Sequence, residues 1–240
     1  MTANRNLFWD GAFNTRDLGG TTTADGRVIR RGALVRSATP EYLTETGWAQ
    51  LRDHGIRTVI DLTGGEDGHP DLAPRPPELT TTTIRMDPTE DTEFWAYWGR
   101  GLHGTPLYFR PFLDRHPQRA VEVVRAFARA PEGGVLVHCH AGRDRTGIAV
   151  LLLLLIAGVG QAEILADHLR SHEGLRPLWA KLGTDDQEPI IEWALAEMGG
   201  STGEALRAAT ELDVDAYLLG AGLAPEDLTA ARNRLLEPPA

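Results

Sequence analysis

The stretch Val135–Leu155, VLVHCHAGRDRTGIAVLLLLL, decides the fold. Val135 to Val137 form an apolar run of strand length, and Thr146 to Ala157 read as a helix with almost no polar face. Strand, tight loop and buried helix are the unit from which parallel sheets flanked by helices are built. Cys139, the one cysteine in 240 residues, falls at the strand end, with His138 and His140 on either side. Backbone N–H groups of the loop and the N-terminus of the helix converge there on a small cup, a geometry that binds anions. The same dipole, with Arg145 and the two histidines, is expected to lower the thiol below its free pKa of about 8.5.

Arg145 lies six positions after Cys139. A loop that closes on itself sets its planar fork beside the sulfur, and that pairing selects a tetrahedral oxyanion, phosphate above all. The expected chemistry is attack of the thiolate on phosphorus to give a cysteinyl-phosphate. Arg145 and the amides of His140, Ala141, Gly142, Arg143, Asp144 and Thr146 would hold the equatorial oxygens. Thr146 would hydrogen-bond the sulfur and improve it as a leaving group. This chemistry calls for no metal and no cofactor.

Working outward, IRTVIDL (56–62) and TTTIRM (81–86) read as two further strands. Thr44 caps a helix carrying Trp48 and Leu51, and Gly55 ends it. DGRVIRRGALVRS (25–37) reads as a small hairpin about Asp25-Gly26. QRAVEVVRAFARA (118–130) is an amphipathic helix. Residues 62–79, rich in Gly and Pro, are a loop, and 87–116 resemble a lid or binding segment. Beyond Gly160 the pattern is helical: QAEILADHLRSH, EPIIEWALAEM, EALRAATEL and PEDLTAARNRLLE, with Pro225 in a first turn. The expectation is one α/β domain over residues 1–240, with a mainly parallel sheet and a helical region over 161–240.

A formal charge of -10 and pI near 5.3 argue against nonspecific nucleic-acid or anionic-membrane binding. A single thiol cannot form an intrachain disulfide, which fits a cytoplasmic setting, without excluding export by a route that uses no signal. The start, MTANRNLFWDGAFN, shows no signal-peptide pattern, and the apolar run ending at Gly158 is too short to span a bilayer. The oligomeric state is not legible.

HCHAGRDRTG (138–147) contains H-C-x-x-G-x-x-R-[ST] and resembles the protein tyrosine phosphatase signature. The fuller string is similar to the A-G-K-D-R-T-G variant of atypical bacterial tyrosine and lipid phosphatases. FNTRDLGG (13–20), RRGALVRSA (30–38), GIRTVIDL (55–62) and YLLGAGLAPEDL (217–228) resemble that group's segments in the same order. The resemblance implies a tyrosine-phosphatase-like α/β fold. It also implies hydrolysis of phosphotyrosine proteins, with phosphoserine or phosphothreonine and phosphoinositides as further substrate classes. Arg143 stands where the group usually has lysine, so a lipid preference tied to that lysine is not carried over.

The leaving oxygen needs a proton. Asp144, inside the loop, has the closer motif match. Asp87, in RMDPTED (85–91), resembles the mobile Asp-Pro loop that supplies the acid in other tyrosine phosphatases, and Asp91 is a third candidate. His138 is expected to organise the loop and Asp61 to brace it from a strand end. His140 and Arg143 face either the mouth of the cup or solvent. Arg16, Asp17, Arg36 and Ser37 are read as ion-pair struts behind the site. Phe94, Trp98 and Leu102, at i, i+4 and i+8, would share one face of a lid helix, whether it covers the pocket or simply packs. Glu66 and Asp67 are expected to be solvated. Two other functions keep the cup: a phospholigand-binding module without turnover, and thiol chemistry of the sulfurtransferase or arsenate reductase kind.

Overall fold

The computed structural model describes residues 5–64 and 75–238. Its sheet is built from β1 (Arg16–Asp17), β2 (Leu34–Ser37), β3 (Ile56–Asp61), β4 (Thr80–Thr83) and β5 (Gly134–His138). Their spatial order is β1-β2-β5-β3-β4. All pairings are parallel except that of the edge strand β1 with β2. β5, buried along its whole length, therefore sits between two strands that precede it in sequence, and the crevice at its carboxyl end is where such sheets bind ligands.

Alternate residues divide between the two faces, as the period of a strand requires. Val35, Val59 and Leu136 pack with Trp48 and Leu51 of α1 (Glu45–Asp53) on one side. Leu34, Ile60, Val135 and Val137 pack on the other against α5 (Asp144–Ala157). Helix α5 is buried all round, because α4 (Pro117–Ala128) and α10 (Pro225–Leu235) cover the flank that the sheet leaves. Each leucine so enclosed contributes about 1.5–3 kcal/mol. Gly158 ends the helix at φ 82°, a left-handed cap that a side chain would strain.

Several elements depart from expectation. The 25–37 hairpin shrinks to one bridge, Thr22 with Val28, closed by the turn at Gly26. Leu34 and Val35 leave it for the central sheet, where burial on both faces outweighs a local turn signal. β4 stops at Thr83, before Ile84 and Met86. The segment 87–116 holds α2 (Thr92–Trp98) and α3 (Phe109–Arg115), joined by short 3₁₀ turns at Leu102–Gly104 and Pro106–Tyr108. Gly99 and Gly101 break the helix after Trp98, so Leu102 is not a third residue on one helical face. Phe94 and Trp98 instead close on Tyr108, at 5.9 and 5.7 Å between ring centroids.

In the C-terminal region α6 (Gln161–Leu182) runs ten residues past His172, through Pro177. It is followed by α7 (Glu188–Glu197), α8 (Thr202–Thr210) and α9 (Val214–Gly220), the last of which was not anticipated as a helix. No helix among the described residues is long and apolar enough to cross a membrane.

Candidate active site

The 139–143 loop leaves β5 and enters α5 with no side-chain cap, so the amides of its first turn are left facing the cup. Gly142 holds the bend at φ 68°, and a Cβ there would lie 2.2 Å from the Ser37 carbonyl oxygen. Only glycine lets the loop sit that close to β2.

Cys139 is buried at the floor of a cavity of about 300 Å³ that is also lined by Asp87, His103, Gly104, His140, Ala141, Arg143, Asp144, Arg145, Trp179, Leu182, Thr184 and Gln187. The buried Thr146 hydroxyl has no other hydrogen-bond partner and faces the sulfur. Together with the N–H groups of Thr146 and Gly142 it favours the thiolate. Burial, helped by the negative charge of Asp144, is the larger influence and pushes the thiol up. The expected lowering is therefore not what the fold delivers by itself. The groups meant to produce it are in place, but taking the sulfur out of water costs more than they return.

Arg145 lines the same cavity, and Nη1 lies 3.4 Å from Asp87 Oδ2. Burial lowers the guanidinium to about 10, with Asp61 acting in the opposite sense, so it stays charged at neutral pH. Asp87 is buried beside it, and burial together with the charge of Asp144 raises its carboxyl to about 7. The Tyr108 hydroxyl, buried with no other partner among the described residues, pulls the other way. Asp144 opens α5, and both its oxygens accept from Arg143, at 3.0 and 3.3 Å from Nε and 3.2 Å from Nη2.

His138 is fully buried, its Nδ1 3.2 Å from the Cys139 carbonyl oxygen and its Nε2 3.4 Å from Arg75 Nη2. Burial drives it down to about 4, although Asp61 opposes this, so the imidazole is neutral. Asp61 accepts from the Thr63 N–H and hydroxyl, both at 2.8 Å, and braces the neighbouring strand end. The His140 side chain lines the cavity while its carbonyl accepts from Thr39 N–H at 2.9 Å.

Behind the loop, Arg16 and Arg36 converge on Asp167 of α6. Arg16 Nε lies 2.7 Å from Oδ1 and Arg36 Nη1 2.6 Å from Oδ2, with all three side chains at most 2% exposed. Arg36 Nη2 then donates to the Gly142 carbonyl at 2.7 Å. Asn14 Nδ2 donates to Ala141 and Gly142 at 3.0 and 3.2 Å, and Ser171 accepts from Arg16 Nη2 at 3.1 Å. The two arginines are the struts that the sequence suggested. Ser37 takes part through its backbone against Gly142, and its hydroxyl bonds Thr15 at 2.7 Å. Asp17 is not among the struts: it accepts from Gly19 and Gly32 N–H and from His54 near the start of β2.

Asp91 is excluded from the site as well. It caps α2 through Phe94 N–H and pairs with Arg115 at 2.9 Å. Glu66 and Asp67 lie outside the described residues. Sequence reasoning missed Asn14, Tyr108, Asp167, Ser171, Trp179 and Gln187. The one signal available was Asp167 with Ser171, polar residues at i, i+4 on a helical face that should have been apolar. Among the described residues no group of three or more His, Cys, Asp or Glu could hold a metal ion.

The fold is thus a mainly parallel α/β sheet whose central strand runs through a C-x5-R loop into the N-terminus of a buried helix. The model of the tyrosine phosphatase family matches residues 7–237. The chain belongs to that family. It is 33% identical to a putative tyrosine-protein phosphatase of Cupriavidus necator over 182 residues, 72% of this chain and 65% of that protein, and so spans just under two thirds of that relative's length. Against the triple specificity protein phosphatase PtpB of Mycobacterium tuberculosis the identity is 29%, over 94% of this chain and 97% of PtpB. Among solved structures, P. aeruginosa TpbA in complex with phosphotyrosine matches with TM-score 0.43 and 17% identity, over 82% of this chain and 91% of TpbA.

Proposed function

We propose that the chain is one phosphatase domain that hydrolyses phosphotyrosyl proteins through a cysteinyl-phosphate on Cys139, without a metal. One observation carries this reading: Cys139 and Arg145 line a single cavity, and the Thr146 hydroxyl and the N–H groups of Gly142 and Thr146 are directed at the sulfur. In this reading the loop amides and the guanidinium hold the equatorial oxygens, over which charge spreads in the transition state. As the sulfur attacks phosphorus the thiol proton passes to a phosphoryl oxygen of the docked dianion, so the nucleophile is a thiolate although burial holds the free thiol up.

Trp179, Leu182 and His103 wall the mouth and suit the aromatic ring of phosphotyrosine better than a short phosphoserine. The kinship to PtpB, a relative named for triple specificity, makes phosphoserine, phosphothreonine and phosphoinositides the comparison substrates. An unprotected nucleophilic thiol suits a reducing compartment such as the cytoplasm.

The test is phosphate release in chelator from matched phosphotyrosyl and phosphoseryl peptides and a set of phosphoinositides. Wild type is expected to favour the phosphotyrosyl peptide, with Cys139→Ser slower by about a thousandfold or more. Undiminished release by Cys139→Ser would overturn the mechanism. Binding by wild type without turnover would turn the reading to a phospholigand module.

A further inference from the structure

A second cavity, of about 680 Å³ against about 300 Å³ for the first, lies at the opposite end of the sheet. Its walls are the turns that lead into β2, β3 and β5 and the C-terminal halves of α4 and α10, where Ala33, Ala128 and Ala230 keep the space open. Gly134 in its wall begins β5, and Cys139 follows the end of that strand, about 16 Å away in extended backbone. A small group held in one cavity therefore does not touch a group held in the other.

Arg30, Arg31 and Arg234 line this second space, and Glu132 is the one carboxylate among its lining residues. That excess of positive charge stands on a chain of net charge -10. Among the described residues none of the three arginines forms an ion pair. Arg30 Nη2 donates to the Asn233 and Leu236 carbonyls at 3.2 and 3.0 Å. Arg234 donates through Nη1 to the Gly133 carbonyl at 2.8 Å, and through Nη2 to the carbonyls of Pro131 at 3.0 Å and of Ala130. It also lies over the Phe127 ring, 5.8 Å from the centroid. These contacts fix both forks, but a carbonyl supplies no countercharge, and Nε and Nη1 of Arg30 and Nε of Arg234 keep no acceptor among the described residues. His54, the other titratable group in the lining, is turned to Asp17 at 3.1 Å. Burial and the charge of Arg30 both bring the Arg234 guanidinium down, a repulsion that an anion between the two would relieve.

The geometry points to a second anion site in this cavity, one that takes a soluble oligophosphate through the forks of Arg30 and Arg234, with Arg31 at its rim. Each planar fork pairs bidentately with one phosphate, so two forks held on different segments match phosphates in series. The volume falls in the range of small-molecule sites and is far more than one phosphate fills. A nucleic acid is disfavoured, because the rest of this acidic chain repels an extended polyanion. The bound ligand ties the turn before β2 to the ends of α4 and α10. It stabilises the fold without entering turnover, and the site stands whether or not Cys139 cleaves a phosphoester.

The experiment is calorimetric titration, in chelator, of tripolyphosphate, ATP and sulfate into wild type and into Arg145→Ala, which removes the fork of the first cavity as a competitor. Arg30→Ala and Arg234→Lys are made in both backgrounds. Arg30 is exposed and lysine at 234 keeps the charge, so both variants are expected to fold, which circular dichroism checks. Tripolyphosphate and ATP should each bind Arg145→Ala at one equivalent per chain with Kd below about 1 mM, and raise its unfolding midpoint. Arg30→Ala should weaken them by about tenfold and Arg234→Lys by about threefold, and sulfate should bind about tenfold more weakly than tripolyphosphate. Failure of either oligophosphate to saturate below about 1 mM, sulfate as tight as tripolyphosphate, or an affinity that neither substitution lowers would overturn the site. Binding to wild type that disappears in Arg145→Ala would put the anion in the first cavity and overturn it equally.

Discussion

Polar groups on the two sides of the 139–145 loop face different things. On the cavity side the Cys139 thiol, the Thr146 hydroxyl and the Asp87 carboxyl have few partners within the protein and are turned toward a space that a substrate can fill. On the far side Arg16, Arg36, Asp167, Asn14 and Ser171 are almost fully committed to one another and to the loop carbonyls. A loop whose carbonyls are all tied down from behind can point its amides forward without paying reorganisation at each turnover. Rigidity and reactivity are thus assigned to opposite faces of seven residues.

The sharpest way to break this division is Asp167→Asn. It keeps the shape of the side chain but leaves two buried guanidiniums side by side with no countercharge, which costs about 3–5 kcal/mol. Denaturant unfolding measures it. The removal should also loosen the loop, so kcat falls in the fraction that stays folded. A loss below about 1 kcal/mol would mean that the far side is packing and not an anchor. Cys139→Ser gives the contrast: turnover goes and the unfolding midpoint stays where it was.

Gly142→Ala lies on the boundary between the faces and should disturb both by a smaller amount. Its left-handed φ and the Ser37 carbonyl at 2.2 Å from the added Cβ force the loop off β2, at about 1–3 kcal/mol. A displacement of about an ångström in the amides is enough to cost about a hundredfold in kcat/KM. Stability lost with kcat/KM intact would show that the position of the loop against β2 does not set the geometry of the cup.

The same division explains what could be read from the chain. The cavity side was legible because it is nearly all contained in His138–Thr146, a run in which spacing alone carries strand, loop and helix. The parallel sheet followed from the apolar runs of β3 and β5. The far side joins residues 14, 16, 36, 142 and 167, brought together only by the order β1-β2-β5 and by α6 crossing behind it, and its one local trace is Asp167 with Ser171, polar at i, i+4 on a helix. Arg16 and Arg36 were recovered through family resemblance, and Asp167 could not be. Asp17 and Asp91 were misplaced because a carboxylate beside a turn or before a helix looks the same whether it caps the backbone or lines a site. The lid helix was overextended because Phe94, Trp98 and Leu102 keep helical spacing across glycines that end the helix.

The finest discrimination between the two faces is in the pH dependence of stability, where they carry opposite signs. His168, next to Asp167 on α6, is buried with its Nδ1 unpartnered, and its ring meets Phe109 edge-on at 5.6 Å. Burial, with Arg36 and Arg143 nearby, lowers it to about 3, and His138 is lowered to about 4. Between those values and the ordinary 6.5 the unfolded chain holds protons that the folded chain refuses, so each histidine makes stability fall as pH drops through this window. Asp87 does the reverse. Its raised carboxyl keeps a proton in the folded state from about 7 down to its ordinary 3.8, and this adds stability as pH falls. Two histidines against one aspartate leave one proton, so these three groups together contribute at most about 1.4 kcal/mol per pH unit to the slope between pH 6.5 and 4. His168→Gln should flatten the measured slope by up to about 1.4 kcal/mol per pH unit, whereas Asp87→Asn should steepen it by as much, in urea unfolding at a series of pH values. Parallel shifts in the two variants would mean that the cavity carboxyl and the buried imidazole do not differ in the way their surroundings require.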